Sequence, residues 1–139
     1  MMDINWLAVV LAVIAQFAVG AIWYMPLFGK IWGEMHGFDK LSKKQQEAMQ
    51  SSMGPWYGVQ LAFMLVNTVV LAYLIAHVAT IDPYHIALLT WLGFTLPAQA
   101  SAAIFGGAPE GWTWHKIAIQ SVGSLASFLV ATFIIVSLG

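Results

Sequence analysis

Charge placement constrains this chain more than any other feature. The charged residues are Asp3, Lys30, Glu34, Asp39, Lys40, Lys43, Lys44, Glu47, Asp82, Glu110 and Lys116. Between them run four charge-free stretches, 4–29, 48–81, 83–109 and 117–139. Each exceeds the roughly 20 apolar residues that a helix needs to cross about 30 Å of hydrocarbon. Only 8% of residues are charged and 60% are hydrophobic, against about 25% charged in an ordinary soluble domain. Such runs leave no polar helix face to meet water. The pattern predicts an all-α integral membrane four-helix bundle in a single domain of 139 residues. The expected spans are about 4–24, 55–78, 84–105 and 115–138, with boundaries good to roughly 2–4 residues. The first is read as a span and not a cleaved signal, because no positive region precedes it.

Lysine sets the expected orientation. Lys30, Lys40, Lys43 and Lys44 lie between spans one and two, and Lys116 lies between spans three and four. With four spans these connections share one side. The positive-inside rule puts them in the cytoplasm, and both termini outside, in a multi-pass protein of the cell membrane. Trp23, Tyr24, Trp32, Trp56, Tyr57, Trp112 and Trp114 are expected near the cytoplasmic interface, where amphipathic rings favour the headgroup region. Trp6, Tyr73 and Tyr84 are expected at the other interface, and Trp91 inside the bundle.

The loop at about 25–54 holds most of the charge. Leu27, Phe28, Ile31, Trp32 and Met35 recur at helical spacing opposite Lys30 and Glu34, which suits an amphipathic interfacial helix. Gly29, Gly33 and Gly37 weaken it. A second helix is expected from Ser42, where Ser42-Lys43-Lys44-Gln45 is a capping-box pattern. Pro83 after Asp82 makes a tight turn between spans two and three, predicting an antiparallel hairpin. The glycines of 106–111 end span three. Pro97 removes a backbone hydrogen bond inside span three and should kink it, freeing a carbonyl near Gly93.

Membrane helices associate through close backbone approach and interhelical hydrogen bonds. Ala8, Ala12, Gln16 and Gly20 share one face of the first span. Gly54, Gly58 and Ala62 share one in the second, and Gly123, Ser127 and Ala131 one in the fourth. Contacts within one protomer and contacts between protomers both fit these surfaces.

The run Gly20-Ala21-Ile22-Trp23-Tyr24-Met25-Pro26-Leu27-Phe28-Gly29-Lys30-Ile31-Trp32, with Asn5-Trp6-Leu7-Ala8 before it and Trp91-Leu92-Gly93-Phe94 leading to Pro97, resembles the domain-of-unknown-function family 1761. The resemblance covers almost the whole chain, and its most specific element is Trp-Tyr-x-Pro-Leu-Phe-Gly. It implies a small four-helix membrane protein and carries no activity or catalytic residue with it.

No Asp or Glu falls inside a predicted span, which argues against simple proton-coupled exchange. The polar residues at depth are Gln16, Gln60, Asn67, Thr95, Gln99, Ser101, Gln120, Ser124 and Ser127. They serve either as interhelical hydrogen bonds or, through Gln16, Asn67, Gln99 and Gln120, as a polar path for a small solute. His77, Asp82 and His85, with Asp3 on the same side, are a weak candidate set for zinc or another divalent ion. Glu34, His36, Glu110, His115 and Lys116 could meet under the bundle, with a Glu110–Lys116 ion pair. Met25, Met35, Met49, Met53 and Met64 are too unevenly spaced for a copper path and fit gap-filling.

The chain has no cysteine and no arginine, so thiolate chemistry and nucleic-acid binding are not expected. No catalytic triad spacing, phosphate loop or cofactor motif is present. The expected role is a small packing protein that self-associates or joins a larger membrane complex. The alternative is a channel or transporter for a small neutral or weakly polar solute. A membrane enzyme would have to work through the interfacial histidines.

Overall fold

The computed structural model describes residues 4–139. Asp3 therefore lies outside the described residues. Those residues are all-helical, and four helices are long and apolar enough to span a membrane: Trp6–Leu27, Gly54–His77, Pro83–Phe105 and Thr113–Leu138.

The first span is α1 (Trp6–Ile22) continued by a π-helical turn, Trp23–Leu27. Asn5 caps α1, accepting from the Ala8 N–H, and its amide donates to the Leu138 carbonyl over 2.8 Å. That side chain ties the start of the first span to the end of the last. Pro26 has no N–H to give the carbonyl one turn back, and the helix absorbs the defect by widening. Phe28 N–H bonds the Trp23 carbonyl, five residues back, at 3.0 Å, as expected where a helix must accommodate an irregularity.

The connection folds back as α2 (Gly29–Met35), a 3-10 turn (Phe38–Lys40) and α3 (Lys43–Ser52). The capping box at α3 is complete. Gln45 N–H donates to Ser42 Oγ, and Ser42 N–H donates to Gln45 Oε1. Met35 is 1% exposed, and Phe28 and Trp32 are half-buried, while Leu27 and Ile31 stay exposed. α2 thus sets one edge against the bundle and leaves the other free.

The second span, α4 (Gly54–His77), carries Pro55 in its first turn. The third is α5 (Pro83–Thr90), a second π turn (Trp91–Thr95) and α6 (Leu96–Phe105). The kink expected at Pro97 is realised as this wider turn, with Leu96 N–H bonding the Trp91 carbonyl. The fourth span is α7 (Thr113–Leu138).

α7 is the central helix. It packs along α1 on one side and along α5, the second π turn and α6 on the other, while α4 packs chiefly on α1. The spatial order is therefore second, first, fourth, third. The hairpin expected between spans two and three is joined at its turn, but its two arms barely touch beyond that end. The reason is visible on α4, where only Thr68, Leu71 and Ala72 are buried. From Gly54 to Asn67 every residue except half-buried Met64 is exposed.

One apolar core joins all four spans: Ala12, Leu71, Ile86, Ala87, Phe128 and Ala131. It lies in the half of the bundle away from the lysines. Ala8, Ala12 and Ala131 are 1% exposed or less, so the small-residue faces of α1 and α7 meet within the chain. Gly20 and Ser127 are half-buried. Gly54 and Gly58 are exposed and meet nothing in the chain.

Candidate functional site

The lysine-side half of the bundle is not closed. Between α4 and the third span lies a cleft of about 350 Å³. Gln16, Gln60, Asn67, Thr95, Gln99, Gln120, Ser124 and Ser127 are among the residues that line it, beside Trp23, Tyr24, Phe63 and Met64. Gln16, Asn67, Gln99 and Gln120, on four different spans, thus share one cavity. No residue of the lining carries a formal charge.

Depth follows from helix position. Gln60 and Gln99 are six residues from the lysine-side ends of their spans, and Gln120 is seven from the start of α7. At 1.5 Å per residue this sets three amides about 10 Å inside. Gln16, Asn67 and Thr95 lie deeper, near mid-span. The adjoining cavity, of about 280 Å³, continues toward the α4–α5 turn and is walled mainly by Val70, Leu71, Leu74, Phe94 and Phe128. Beyond mid-span the only polar residue in its wall, among the described residues, is Thr90, whose hydroxyl bonds the Ile86 and Ala87 carbonyls of its own helix. The two cavities share Asn67, Thr95 and Phe128. Phe63 and Phe94 line them at mid-depth and are 68% and 77% exposed, so both cavities open sideways, between the helices.

Two tryptophans hold this geometry. Each begins a π turn, and each donates its indole N–H to a backbone carbonyl of α7. Trp23 Nε1 reaches Ile119 O at 2.8 Å, and Trp91 Nε1 reaches Ser121 O at 2.8 Å. The register shift in a π turn re-aims the residues around it, and here it turns both indoles onto α7. Trp91 also contacts Ser124 Oγ at 3.1 Å, and that hydroxyl lies 2.9 Å from Gln99 Oε1. Trp23, expected at the interface, is thus inside the bundle, against Gly123. A Cβ at Gly123 would lie 2.7 Å from Trp23 Nε1, so the indole needs the bare backbone. An aromatic residue near a span end reads by default as an interface anchor. The proline three residues later was the available sign that the turn is re-aimed.

The amides of the cleft are not equivalent. Gln16 is 2% exposed, and its Nε2 donates to Thr68 Oγ1 at 2.7 Å and to Ala12 O at 3.2 Å. Thr68 Oγ1–H donates in turn to Met64 O. Gln16 therefore clamps α1 to α4. The side chains of Gln60, Asn67 and Gln120 make no hydrogen bond among the described residues, and Gln99 is engaged through its oxygen alone.

The other candidates come apart. His77 stacks on Tyr73 with ring centroids 3.9 Å apart, and its Nδ1 contacts the Tyr73 carbonyl. His85 lies 3.8 Å from Asp82, whose carboxylate caps α5 by accepting from Tyr84 N–H. Among the described residues no three His, Cys, Asp or Glu side chains gather to hold a metal. The helical periodicity of α4 and α5 points the two histidines into separate local contacts.

Below the cleft, Lys116 turns to His36 and not to Glu110. Lys116 Nζ donates to His36 Nε2 at 3.2 Å and sits 5.8 Å from the centre of the Trp32 ring. His36 Nδ1–H is directed at the Trp32 carbonyl at 2.9 Å. This pair latches α2 beneath the start of α7. Glu110 forms no ion pair among the described residues.

These features define a four-span, multi-pass membrane protein with an uncharged polar cleft between two of its spans. The family described as "Protein of unknown function (DUF1761)" matches residues 7–136, and the chain belongs to that family. A search of curated proteins and a search of solved structures found no match.

Proposed function

We propose that the protein binds a small uncharged polar molecule within the membrane and carries it, the cleft being the binding site. One observation carries this reading: the side-chain amides of Gln60, Asn67 and Gln120 stand without a hydrogen-bond partner among the described residues, and that of Gln99 is bonded through its oxygen alone, around one cavity at span depth. An amide in hydrocarbon without a partner costs several kcal/mol. A ligand with hydroxyl, carbonyl or amide groups would remove that cost. A cavity with no charged side chain favours a neutral ligand, since an ion would lose its hydration without a counter-charge. Beyond mid-span the lining is apolar apart from Thr90, which is bonded to its own helix, and this favours a carrier over an open pore. Catalysis forms no part of this reading.

The test is flux in liposomes. Glycerol is a suitable neutral probe, and its uptake should fall when Gln99 and Gln120 are both replaced by leucine. No flux above protein-free liposomes, or flux indifferent to that replacement, would reject the proposal. The proposed orientation sets the lysine-bearing connections in the cytoplasm. Reporters fused at the C-terminus should then be active only outside.

A second reading is self-association, or association with another membrane protein, through the outer face of α4. It is favoured by Gly54, Gly58 and Ala62, which are exposed in a row along α4, with nothing of the described chain within 4 Å of where a Cβ would stand at either glycine. Such surfaces let backbones approach closely. Cross-linking at Gly58→Cys, in a chain with no other cysteine, should then trap a dimer in native-like lipid. A monomer there rejects this reading.

A further inference from the structure

The carrier reading leaves the ligand's class open, and the second cavity narrows it. We infer that the ligand is a single-chain amphiphile with an uncharged polar head, which enters sideways from the lipid between α4 and the third span. The inference rests on the cleft being a binding site and adds the shape of what it binds.

Three observations meet here. The polar cleft and the mainly apolar cavity adjoin, with Asn67, Thr95 and Phe128 in the walls of both. A molecule that fills both has a hydrogen-bonding end and an apolar end. The polar end lies on the lysine side, among amides about 10 Å inside the span ends, and the apolar end lies toward the α4–α5 turn. Heads that sit this deep are neutral, because a charged head stays at the interface with its water. Finally, Phe63 and Phe94 are exposed at mid-depth, so the way in is from the hydrocarbon. A water-borne solute has no need of a side opening, whereas a membrane-dissolved one does.

Recognition then resides in the head. Lipid tails are as apolar as the second cavity, so moving a chain from one to the other gains little. The amides supply what the lipid lacks. The second cavity acts as a shape filter that takes one chain.

The probe is a monoacylglycerol carrying a diazirine in its chain, added to the protein in phosphatidylcholine nanodiscs and mapped after photolysis by peptide mass spectrometry. Label should concentrate on Val70, Leu74 and Phe94. Unlabelled monoolein should compete it away, and oleate, with the same chain and a charged head, should not. Replacing Gln99 and Gln120 by leucine should weaken labelling about tenfold, through lost hydrogen bonds. Val70→Trp should block the apolar cavity and weaken labelling about tenfold, by overpacking. Val66→Trp, on an exposed face outside both cavities, should leave it unchanged. Label spread along all exposed faces without competition, or equal competition by oleate, overturns the inference. If glutamine-dependent glycerol flux persists beside that result, the carrier reading stands and the amphiphile falls. If neither probe responds, both fall.

Discussion

Gly123→Ala tests the packing that holds the cleft in shape. The added Cβ would lie 2.7 Å from Trp23 Nε1, 2.8 Å from Cδ1 and 3.2 Å from Cε2. Ordinary contact begins at 3.4 Å, so the indole must retreat by about 0.7 Å or the helices must part. Ile119 lies one turn before Gly123 on the same face of α7. An indole pushed off Gly123 is therefore pulled off the Ile119 carbonyl, where it now bonds at 2.8 Å. Overpacking costs about 1–3 kcal/mol. An interhelical hydrogen bond in a membrane bundle adds about 0.6–1.7 kcal/mol. Together these give an expected loss of about 2–5 kcal/mol, from which the better helix propensity of alanine returns up to about 1 kcal/mol. Gly58→Ala is the matched control, because nothing lies within 4 Å of its Cβ position. That variant should be neutral or slightly stabilised. Reversible unfolding in bicelles, followed by tryptophan fluorescence, measures the difference. In a Trp23→Leu background the cost of Gly123→Ala should shrink, since the obstructing ring is gone. Equal stabilities of Gly123→Ala and Gly58→Ala would refute the reasoning. So would strict additivity with Trp23→Leu.

Gln16→Leu and Thr68→Val should each destabilise the α1–α4 contact, with a coupling of about 0.6–1.7 kcal/mol in a double-mutant cycle, read by the same unfolding assay. His36→Ala and Lys116→Met should each raise hydrogen exchange at the amides of α2, while global stability changes by less than about 1 kcal/mol because the pair is exposed. Ser42→Ala removes the α3 capping box and should cost that helix about 1 kcal/mol, seen as faster exchange at Gln45.

The four spans were legible in the sequence because charge exclusion is a strong signal. Expected and observed boundaries differ by at most three residues, as with 4–24 against Trp6–Leu27. The α3 cap was legible for a similar reason, since Ser42 and Gln45 meet through local geometry alone. The order of spans around the bundle was not. Gly54 and Gly58 carry the same small-residue pattern as Ala8 and Ala12, yet only the alanines are buried. Spacing records which residues share a face and says nothing of what that face meets. The glutamines were legible as polar groups at depth. Their division into a clamp, Gln16, and open amides, Gln60 and Gln120, depends on a single neighbour, Thr68. The π turns were hidden behind their prolines, which predict a disturbance without predicting its form.

The open half of the bundle has a physical cause. In water, an exposed α4 would be driven shut by the hydrophobic effect. In lipid that drive is absent, and a gap closes only if packing or hydrogen bonds reward closure. On the side away from the lysines they do, through Leu71, Ile86, Ala87 and Phe128 in a shared core. On the lysine side the facing residues are Gln60 and Asn67 on α4, against Thr95 and Gln99 on the third span. Gln99 is already turned to Ser124 on α7, within the network that Trp91 anchors. The two tryptophans thus fix the third span and the first to α7, while α4 is held at its far half, by Gln16 and by the edge-on contact of Tyr57 with Phe17 of α1. At this end α4 has no hydrogen bond to the third span among the described residues. The gap between Gln60 and Gln99 thus stays open because nothing among the described residues spans it, whereas the far half closes on a shared apolar core.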